Sequence, residues 1–426
     1  MLKAAGANIV EFDEKADIYI VNTCSVTNIA DKKSRQMLHR ARKMNPDGIV
    51  IAAGCYVQSA REILEQDEAI DIVISNNKKK SITEIVNDYI NVRNNGKNAP
   101  GKDHEAMEYF VDISRETEYE EMGGHVPVGH TRAYVKIQDG CNQFCSYCII
   151  PYVRGRIRSR SQEAILAEVS ELAEAGIKEV VLTGIHISSY GKDKNNEGAL
   201  IELIEAISKI KGNKRIRLGS LEPGIITEEF VERISSNSKV CPHFHLSLQS
   251  GCDSVLKRMN RKYTCKQYFE KCDMLRKAYK SPALTTDVIV GFPGETEEEF
   301  AETVRYLTEL NLYEMHIFKY SPRKGTVAAA MKEQVAPEIK NERSDVLLKL
   351  AHDNKTAYEA QFEGCELEVL VEEVVKKDNK TYLRGHTERY MDILIDVGDI
   401  SMPESFVNSF VYVTYTQNGG NLPLLL

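Results

Sequence analysis

The chain has 426 residues, with 55 Lys and Arg against 63 Asp and Glu for a formal net charge of −8. That length provides for two or three domains with cores of their own, and the mild acidity excludes a nucleic-acid partner recruited by bulk charge, leaving only a local basic patch. No apolar run approaches the ~18 residues of a membrane span and Met1 opens no charged-then-apolar leader, so a cytoplasmic protein with no membrane partner is expected. Ten cysteines, three of them clustered, suit a reducing compartment and metal ligation better than a disulfide framework.

Residues 1–92 alternate strand-like and helical stretches. Asp17 to Val21 reads as a buried strand ending at Asn22-Thr23-Cys24, and Asn28 to Met44 has helical spacing with many Lys and Arg. Ile49 to Ala53 is a second strand, ending at Gly54-Cys55; Asp71 to Ile74 is a third, followed by a helix near Ser81 to Val92. The alternation predicts an α/β domain, a parallel sheet with helices on both faces. Ligands gather at the carboxyl ends of such strands, so Cys24 and Cys55, at two equivalent ends, read as parts of one site; the alternative is a pair of ordinary buried cysteines. Residues 93–131 turn to Asn, Gly, Lys and Glu and read as a linker, partly ordered near Tyr109 to Ile113, with Glu116 to Glu121 as a solvated acidic loop.

Residues 132–361 carry six strand-like runs: Ala133 to Gln138, Glu179 to Thr183, Arg215 to Ser220, His243 to Gln249, Leu284 to Gly291 and Met315 to Ser321. Amphipathic helices fall between them, at Gln162 to Ala175, Ala199 to Lys211, Thr227 to Ser235, Lys266 to Tyr279 and Glu297 to Leu310. Repeated right-handed strand–helix units close into a barrel or part of one, with chemistry at the C-terminal ends of the strands. After the first run comes Gly140-Cys141-Asn142-Gln143-Phe144-Cys145-Ser146-Tyr147-Cys148. Its thiols, spaced C-x3-C-x2-C, are close enough to converge on one metal centre. Three thiolates on a 4Fe-4S cluster leave one iron open to bind a small molecule and pass it an electron. A zinc site completed by a distant His and three buried cysteines are the alternatives, although structural zinc usually takes its ligands as two short pairs. The other strand ends carry Thr183-Gly184-Ile185-His186, Ser220-Leu221-Glu222-Pro223, Ser247-Leu248-Gln249-Ser250-Gly251 and Thr286-Asp287 running to Gly291-Phe292-Pro293-Gly294-Glu295.

This cysteine loop resembles that of the radical S-adenosylmethionine superfamily. The resemblance implies a partial (β/α)6 barrel, a 4Fe-4S cluster on Cys141, Cys145 and Cys148, and an open iron that chelates the amino and carboxylate groups of S-adenosylmethionine. Reduction of the sulfonium would then release a 5′-deoxyadenosyl radical. Gly184, Glu222, Gln249 and Asp287 are expected to contact S-adenosylmethionine or to support it, since glycine admits close backbone approach and Glu and Gln can bond a ribose or an amino group.

Directly after the cysteines, Arg154, Arg156, Arg158 and Arg160 alternate along the chain, which puts four guanidinium groups on one face if the segment is extended. Arg132 to Arg160 holds six basic residues and one acidic one. This is the footprint expected for a phosphate-bearing substrate, the alternative being arginines that bridge carboxylates around the site. A helix from Pro337 to Phe362 leads to residues 362–426, where period-two runs at Glu366 to Val375, Lys380 to Gly385, Met391 to Ile395 and Ser405 to Tyr415 predict a small antiparallel β-barrel. It resembles the TRAM domain, an RNA-binding barrel. From Glu363 to Gln417 there are 5 basic and 11 acidic residues, so RNA contact would rely on a local face such as Arg384, His386 and Arg389. The apolar tail Leu422 to Leu426 has no evident role.

The three domains, in this order, resemble the radical S-adenosylmethionine methylthiotransferase family. Asn22-Thr23-Cys24 and Ala53-Gly54-Cys55-Tyr56 match two of the three motifs that hold that family's second 4Fe-4S cluster. The first motif, a Leu-Gly-Cys-x-x-Asn-type loop, is absent, and Met1 to Gly6 aligns with the end of the helix that follows it. Either the start is assigned too far downstream or one cluster ligand is missing. Leu182 to Gly191 and His245 to Gly251 look most like the branch that converts N6-threonylcarbamoyladenosine beside the tRNA anticodon to its 2-methylthio form. That chemistry uses two molecules of S-adenosylmethionine, one giving a methyl group to a sulfur at the second cluster and the other the radical. The implied partners are a tRNA anticodon stem-loop and an external flavodoxin- or ferredoxin-like electron donor. Branches acting on isopentenyladenosine or on a ribosomal-protein aspartate share the metal motifs, and an inactive RNA- or cofactor-binding protein is the reading from another class.

Overall fold

The computed structural model describes residues 2–25, 27–94, 109–124, 129–378, 380–398, 402–416 and 419–421. Part of the expected linker (95–108 and 125–128) and the tail Leu422 to Leu426 lie outside the described residues. The chain divides into two compact units. The first comprises Met1–Gly123, Asp139–Arg158 and Ser321–Ala330; the second comprises Gly124–Gln138, Ser159–Tyr320 and Met331–Leu426.

In the first unit, β1 (Ile18–Thr23), β2 (Ile49–Gly54) and β3 (Ile72–Ile74) form a parallel sheet in the order β1–β2–β3. The alternation of β2 decides which helix covers which face. Val50 and Ala52 pack with Leu38 and Ala41 of α1 (Asn28–Met44), whereas Ile49, Ile51 and Ala53 pack with Ile85, Val86 and Tyr89 of α4 (Ile82–Asn94). Thr27 caps α1 by accepting from Ala30 N. Two short helices, α2 (Cys55–Ser59) and α3 (Arg61–Glu65), connect β2 to β3 and were not foreseen, because each is one turn long and carries no periodic stripe. Within the expected linker, Tyr109 O accepts from Ser75 N, Val111 N donates to Ser75 Oγ, and Ile113 is buried.

The second unit is built on β4 (Arg132–Asp139, its last residue lying in the first unit), β6 (Glu179–Gly184), β7 (Arg215–Leu218), β8 (His243–His245), β9 (Ala283–Val290) and β10 (Glu314–Lys319). One parallel sheet runs β4–β6–β7, with the two-residue β5 (Arg158–Ser159) at its edge, and a second runs β8–β9–β10. Bridges Ile216 to Val240 and Leu221 to Leu246 join them into a curled half-barrel. The expected six strands are present, and β8 is shorter than its apolar run. There Thr286 Oγ1 donates to Leu246 O and accepts from Leu248 N, and Gln249 turns left-handed at φ 77°, so the ladder is interrupted after His245. The helices α6 (Gln162–Glu174), α7 (Ala199–Ser208), α8 (Glu228–Ser235), α9 (Asp253–Arg258), α10 (Cys265–Ala278) and α11 (Glu297–Leu310) cover the outside. The capping box Thr264/Gln267 starts α10 and Thr296/Glu299 starts α11. Alternate strand residues, among them Val135, Val180, Leu182, Ile216, Phe244, Leu284, Val288 and Met315, join this helical core. The residues between them turn to the inner face, and they are largely polar.

The long α12 (Pro337–Ala360) leads to a closed barrel of β11 (Glu366–Lys377), β12 (Lys380–Thr387), β13 (Asp392–Asp396), β14 (Phe410–Thr416) and β15 (Gly419–Asn421), ordered β11–β12–β13–β15–β14. The last expected strand is shorter than its run, since Pro403–Phe406 is a 3-10 turn, and β15 was not expected. This barrel docks under the N-terminal ends of the half-barrel strands. Arg215 donates to Glu368 Oε1 at 2.7 Å and to His386 O at 3.2 Å; Arg217 donates to Glu388 O at 2.9 Å, and Arg132 to Glu372 Oε2 at 3.0 Å. Arg132 and Arg217 lie over the Tyr390 ring at 4.9 and 4.8 Å from its centre. Glu179 is 1% exposed and receives Arg217 Nε at 2.7 Å. Burial opposes its ionisation, but Arg217, with Arg215 and Arg132 nearby, outweighs it and holds the carboxyl below the usual range. No described helix is long and apolar enough to cross a membrane.

A buried charge stripped of its partner is costly, so Arg217→Met should lower the unfolding free energy in urea titrations by about 3–5 kcal/mol, with the Glu179→Leu/Arg217→Met double variant losing less.

Candidate active site

The cysteine loop begins where β4 ends. Gly140 has φ 73°, and a Cβ there would lie 1.7 Å from Arg156 O, so only glycine lets the chain fold back against 155–156. Cys141 N donates to Gly155 O at 3.0 Å, and Cys148 N to Cys145 O at 2.9 Å. Ala328 N donates to Ser146 O at 2.8 Å, tying the loop to the segment that follows β10. Cys141 is buried, and Cys145 and Cys148 are half-buried. Three cysteines on one eight-residue loop are a donor set suited to an iron–sulfur cluster.

Cys24 and Cys55 belong to the same compact unit as this loop. Thr23 and Gly54 are register partners, so the next residues, Cys24 and Cys55, leave the sheet side by side. Cys24 is exposed, and its N–H donates to Ser34 Oγ at 3.3 Å. Cys55 is buried at the start of α2, and its Sγ accepts from Arg154 Nε at 3.0 Å. Arg154 Nη1 reaches Asp139 Oδ2 at 3.2 Å, and Asn76 Nδ2 donates to Val153 O at 2.7 Å. Arg323 bonds Ser25 Oγ and Asp31 Oδ2, each at 2.7 Å, and Asn28 Oδ1 at 2.6 Å, which fixes the turn between Cys24 and α1. Sequence reasoning missed Arg154 in this role and Arg323 altogether. The signal for Arg323 was its place just after the sixth strand, where chemistry concentrates as it does after the other five.

The expected stripe of four arginines is corrected. Ile150–Val153 is a single helical turn, α5, and the segment after it is not a uniform strand. Arg154 is engaged by Cys55 and Asp139; Arg158 is 1% exposed and donates to Arg156 O, while Arg160 is buried against Glu168. Only Arg156 of the four is exposed, its guanidinium 4.7 Å from the Phe144 ring centre. Buried guanidinium groups need acceptors, and these found them inside the protein. On the C-terminal barrel the expected local face is divided, with Arg384 left partly exposed and His386 and Arg389 engaged within the protein. Arg384 pairs with Asp392 and Glu373, His386 with Glu372, and Arg389 donates to Ser281 O.

On the rim of the second unit, Gly184 leaves room for Gln138, whose carbonyl oxygen would meet a Cβ at 2.9 Å. His186 N donates to Gln138 Oε1 at 2.8 Å. Glu222 Oε2 receives Arg261 Nη2 at 2.8 Å and faces His186 Nε2 at 3.5 Å. Gln249 N donates to Asp287 O and Gln249 O accepts from Ile289 N, both at 2.9 Å. Asp287 Oδ2 faces His245 Nε2 at 3.4 Å. Structure therefore brings Glu222, Gln249 and Asp287 along the C-terminal strand ends, Glu222 with Arg261 and His186 and Asp287 with His245, partners that the sequence left unassigned.

Burial raises the Glu222 pKa, but His186 and Arg261 outweigh it, and the carboxyl is held below its usual range. A depressed folded value contributes stability that is present above the unfolded pKa of about 4.3 and lost as pH falls through the folded value. Wild type should accordingly lose more stability between about pH 6 and pH 3 than Glu222→Gln does, as read by denaturant titrations at each pH.

The radical SAM superfamily profile matches residues 135–307, and the profile called uncharacterized protein family UPF0004 matches residues 1–75. The chain is 39% identical over 395 residues to the threonylcarbamoyladenosine tRNA methylthiotransferase MtaB of Bacillus subtilis, covering 92% of this chain and 85% of the relative. It is 37% identical to the MtaB of Aquifex aeolicus, covering 91% and 92%. It is 35% identical to the tRNA-2-methylthio-N(6)-dimethylallyladenosine synthase of Thermoanaerobacter pseudethanolicus, covering 98% and 86%. Among solved structures, the radical S-adenosylmethionine methyltransferase TsrM of Kitasatospora setae matches with a TM-score of 0.56 at 15% identity, over 74% of this chain and 66% of that one, a likeness of fold alone. With matches of this identity over nearly its whole length, the chain belongs to the radical S-adenosylmethionine methylthiotransferase family.

Proposed function

We propose that the protein converts N6-threonylcarbamoyladenosine in tRNA, next to the anticodon, to its 2-methylthio derivative. The observation that carries this reading is the 39% identity to an MtaB across 92% of the chain. Cys141, Cys145 and Cys148 hold a 4Fe-4S cluster in this reading, and Gly184, Glu222, Gln249 and Asp287 contact S-adenosylmethionine or support its contacts. Cys24 and Cys55 are two ligands of a second 4Fe-4S cluster. Their fit to such a group rests on two thiols that leave adjacent parallel strands together, with Arg154 Nε already within 3.0 Å of one sulfur. A cluster with bound S-adenosylmethionine supplies one-electron chemistry for an aromatic C–H bond, which is too strong and too weakly acidic for side-chain acid–base catalysis.

The residues of the chain do the positioning. Gly140 and the backbone bond from Cys141 N to Gly155 O hold the cysteine loop in one conformation, and Glu222 is kept ionised by Arg261 and His186. Domain boundaries at 92, 131 and 361 follow the family's order. The substrate is the anticodon stem-loop, the electron donor is a flavodoxin- or ferredoxin-like protein, and the work is done in the cytoplasm.

Cys145→Ala should abolish formation of 5′-deoxyadenosine from S-adenosylmethionine in reconstituted protein, and its retention would show that the loop has been misread. Nucleoside mass spectrometry of tRNA from a deletion strain should show loss of the 2-methylthio form of N6-threonylcarbamoyladenosine. Loss of the isopentenyladenosine product instead refutes the substrate assignment.

A further inference from the structure

Among the described residues, one group of histidines and a carboxylate lies close enough to hold a metal ion, and it contains no cysteine. His245 on β8, Asp287 on β9 and His316 on β10 offer ligand atoms that all lie within 4.8 Å of one another. Strand geometry explains the convergence. Asp287 and His316 are direct register partners, and His245 is partnered with Thr285, two residues before Asp287 on the same face. All three turn to the inner face of the half-barrel, opposite Phe244, Val288 and Met315, which join the helical core. They stand on rigid strands, as a preorganised site requires.

The surroundings of His245 suit a metal ligand. Its Nδ1 lies 3.0 Å from Thr285 Oγ1, while its Nε2 is buried without a hydrogen-bond partner, 3.4 Å from Asp287 Oδ2. A metal-bound histidine characteristically fixes its second ring nitrogen in this way, on a neighbouring acceptor, leaving the other lone pair for the ion. The His316 ring is stacked at 5.9 Å with 21° between planes, and His316 is exposed, which gives an ion its entry path. Tetrahedral ligands on bonds of about 2.0–2.1 Å stand about 3.4 Å apart, the separation already present between His245 and Asp287.

We infer that His245, Asp287 and His316 form a binding site for a first-row divalent metal ion inside the half-barrel. Two imidazoles and one carboxylate on adjacent strands are the 2-His-1-carboxylate donor set, which leaves coordination positions open for an oxygen ligand. This donor set favours Mn²⁺, Fe²⁺ or Zn²⁺ over a soft ion that seeks thiolates.

The test uses the full chain with its iron–sulfur sites reconstituted and without S-adenosylmethionine, since Asp287 is also assigned to that cofactor. Free Mn²⁺ is counted by electron paramagnetic resonance as the protein is titrated, because Mn²⁺ takes oxygen and nitrogen ligands in preference to thiolates; Zn²⁺ uptake is then measured by elemental analysis. Wild type should bind one equivalent more than His316→Ala or Asp287→Asn. Thr285→Val, which removes only the bond to Nδ1, should weaken the ion by about 10–100-fold. His316 is exposed, so its truncation leaves the core intact, and an unchanged melting curve and iron content serve as the control. Failure of wild type to take up an extra equivalent of either ion, or equal uptake by the two ligand variants, overturns the site.

Discussion

A half-barrel of six parallel strands has an outer face that helices can cover with apolar packing and an inner face that they cannot reach. Period-two alternation hands that inner face to Arg132, Glu179, Arg215, Arg217, His243, His245, Asp287 and His316, and each polar group must find a partner there or be left at a cost of about 1–3 kcal/mol. Two solutions are used at the two ends of the strands. At the N-terminal end Glu179 neutralises the arginines, and backbone carbonyls of the C-terminal barrel complete their donors. At the C-terminal end the partners are one another: Glu222 with Arg261 and His186, and Asp287 with His245. The first set is closed and structural. The second keeps lone pairs and carboxylate oxygens turned to the inside, where a bound molecule can use them.

The C-terminal barrel takes its meaning from the same constraint. The sequence led to the expectation of a nucleic-acid face on this barrel, yet His386 and Arg389 meet Glu372 and the Ser281 carbonyl, and Tyr390 lies under two arginines of the half-barrel. Those residues seal the floor of the half-barrel. With Arg154, Arg158 and Arg160 also engaged internally, Arg156 is the exposed member of a run that looked in the sequence like a phosphate track. Counting charges along a chain overstates what remains for a partner, because a guanidinium that is half-buried or more is held by the acceptors that made its burial tolerable.

Strand and helix periodicity was legible. The six strands of the half-barrel and helices such as Asn28–Met44 and Glu297–Leu310 follow from spacing, because their apolar residues face one continuous core. The cysteine loop was legible because its three thiols are neighbours in sequence. What spacing did not carry is partnership across the chain. Arg154 and Cys55 are 99 residues apart, and Arg323 and Asp31 are 292 apart, so neither pairing leaves a local mark. The histidines of the inner face went unassigned for a related reason: a His at an alternate strand position reads the same whether it is satisfied in a core or open to a ligand.

The link between the two groups of cysteines is itself such a long-range partnership. Arg154 donates from Nε to the sulfur of Cys55 and from Nη1 to Asp139, the last residue of β4 before the cysteine loop. One rigid guanidinium plane thus fixes the distance between a thiol at the end of β2 and the residue that launches Cys141. A lysine could not make both bonds in one plane, since its charge is a point on a flexible stem. In the proposed function the loop at Cys141 to Cys148 and the thiols at Cys24 and Cys55 serve one reaction, which requires the two to be held in register. Arg154 bonds both the sulfur of Cys55 and the residue from which the cysteine loop starts, and so couples the positions of the two.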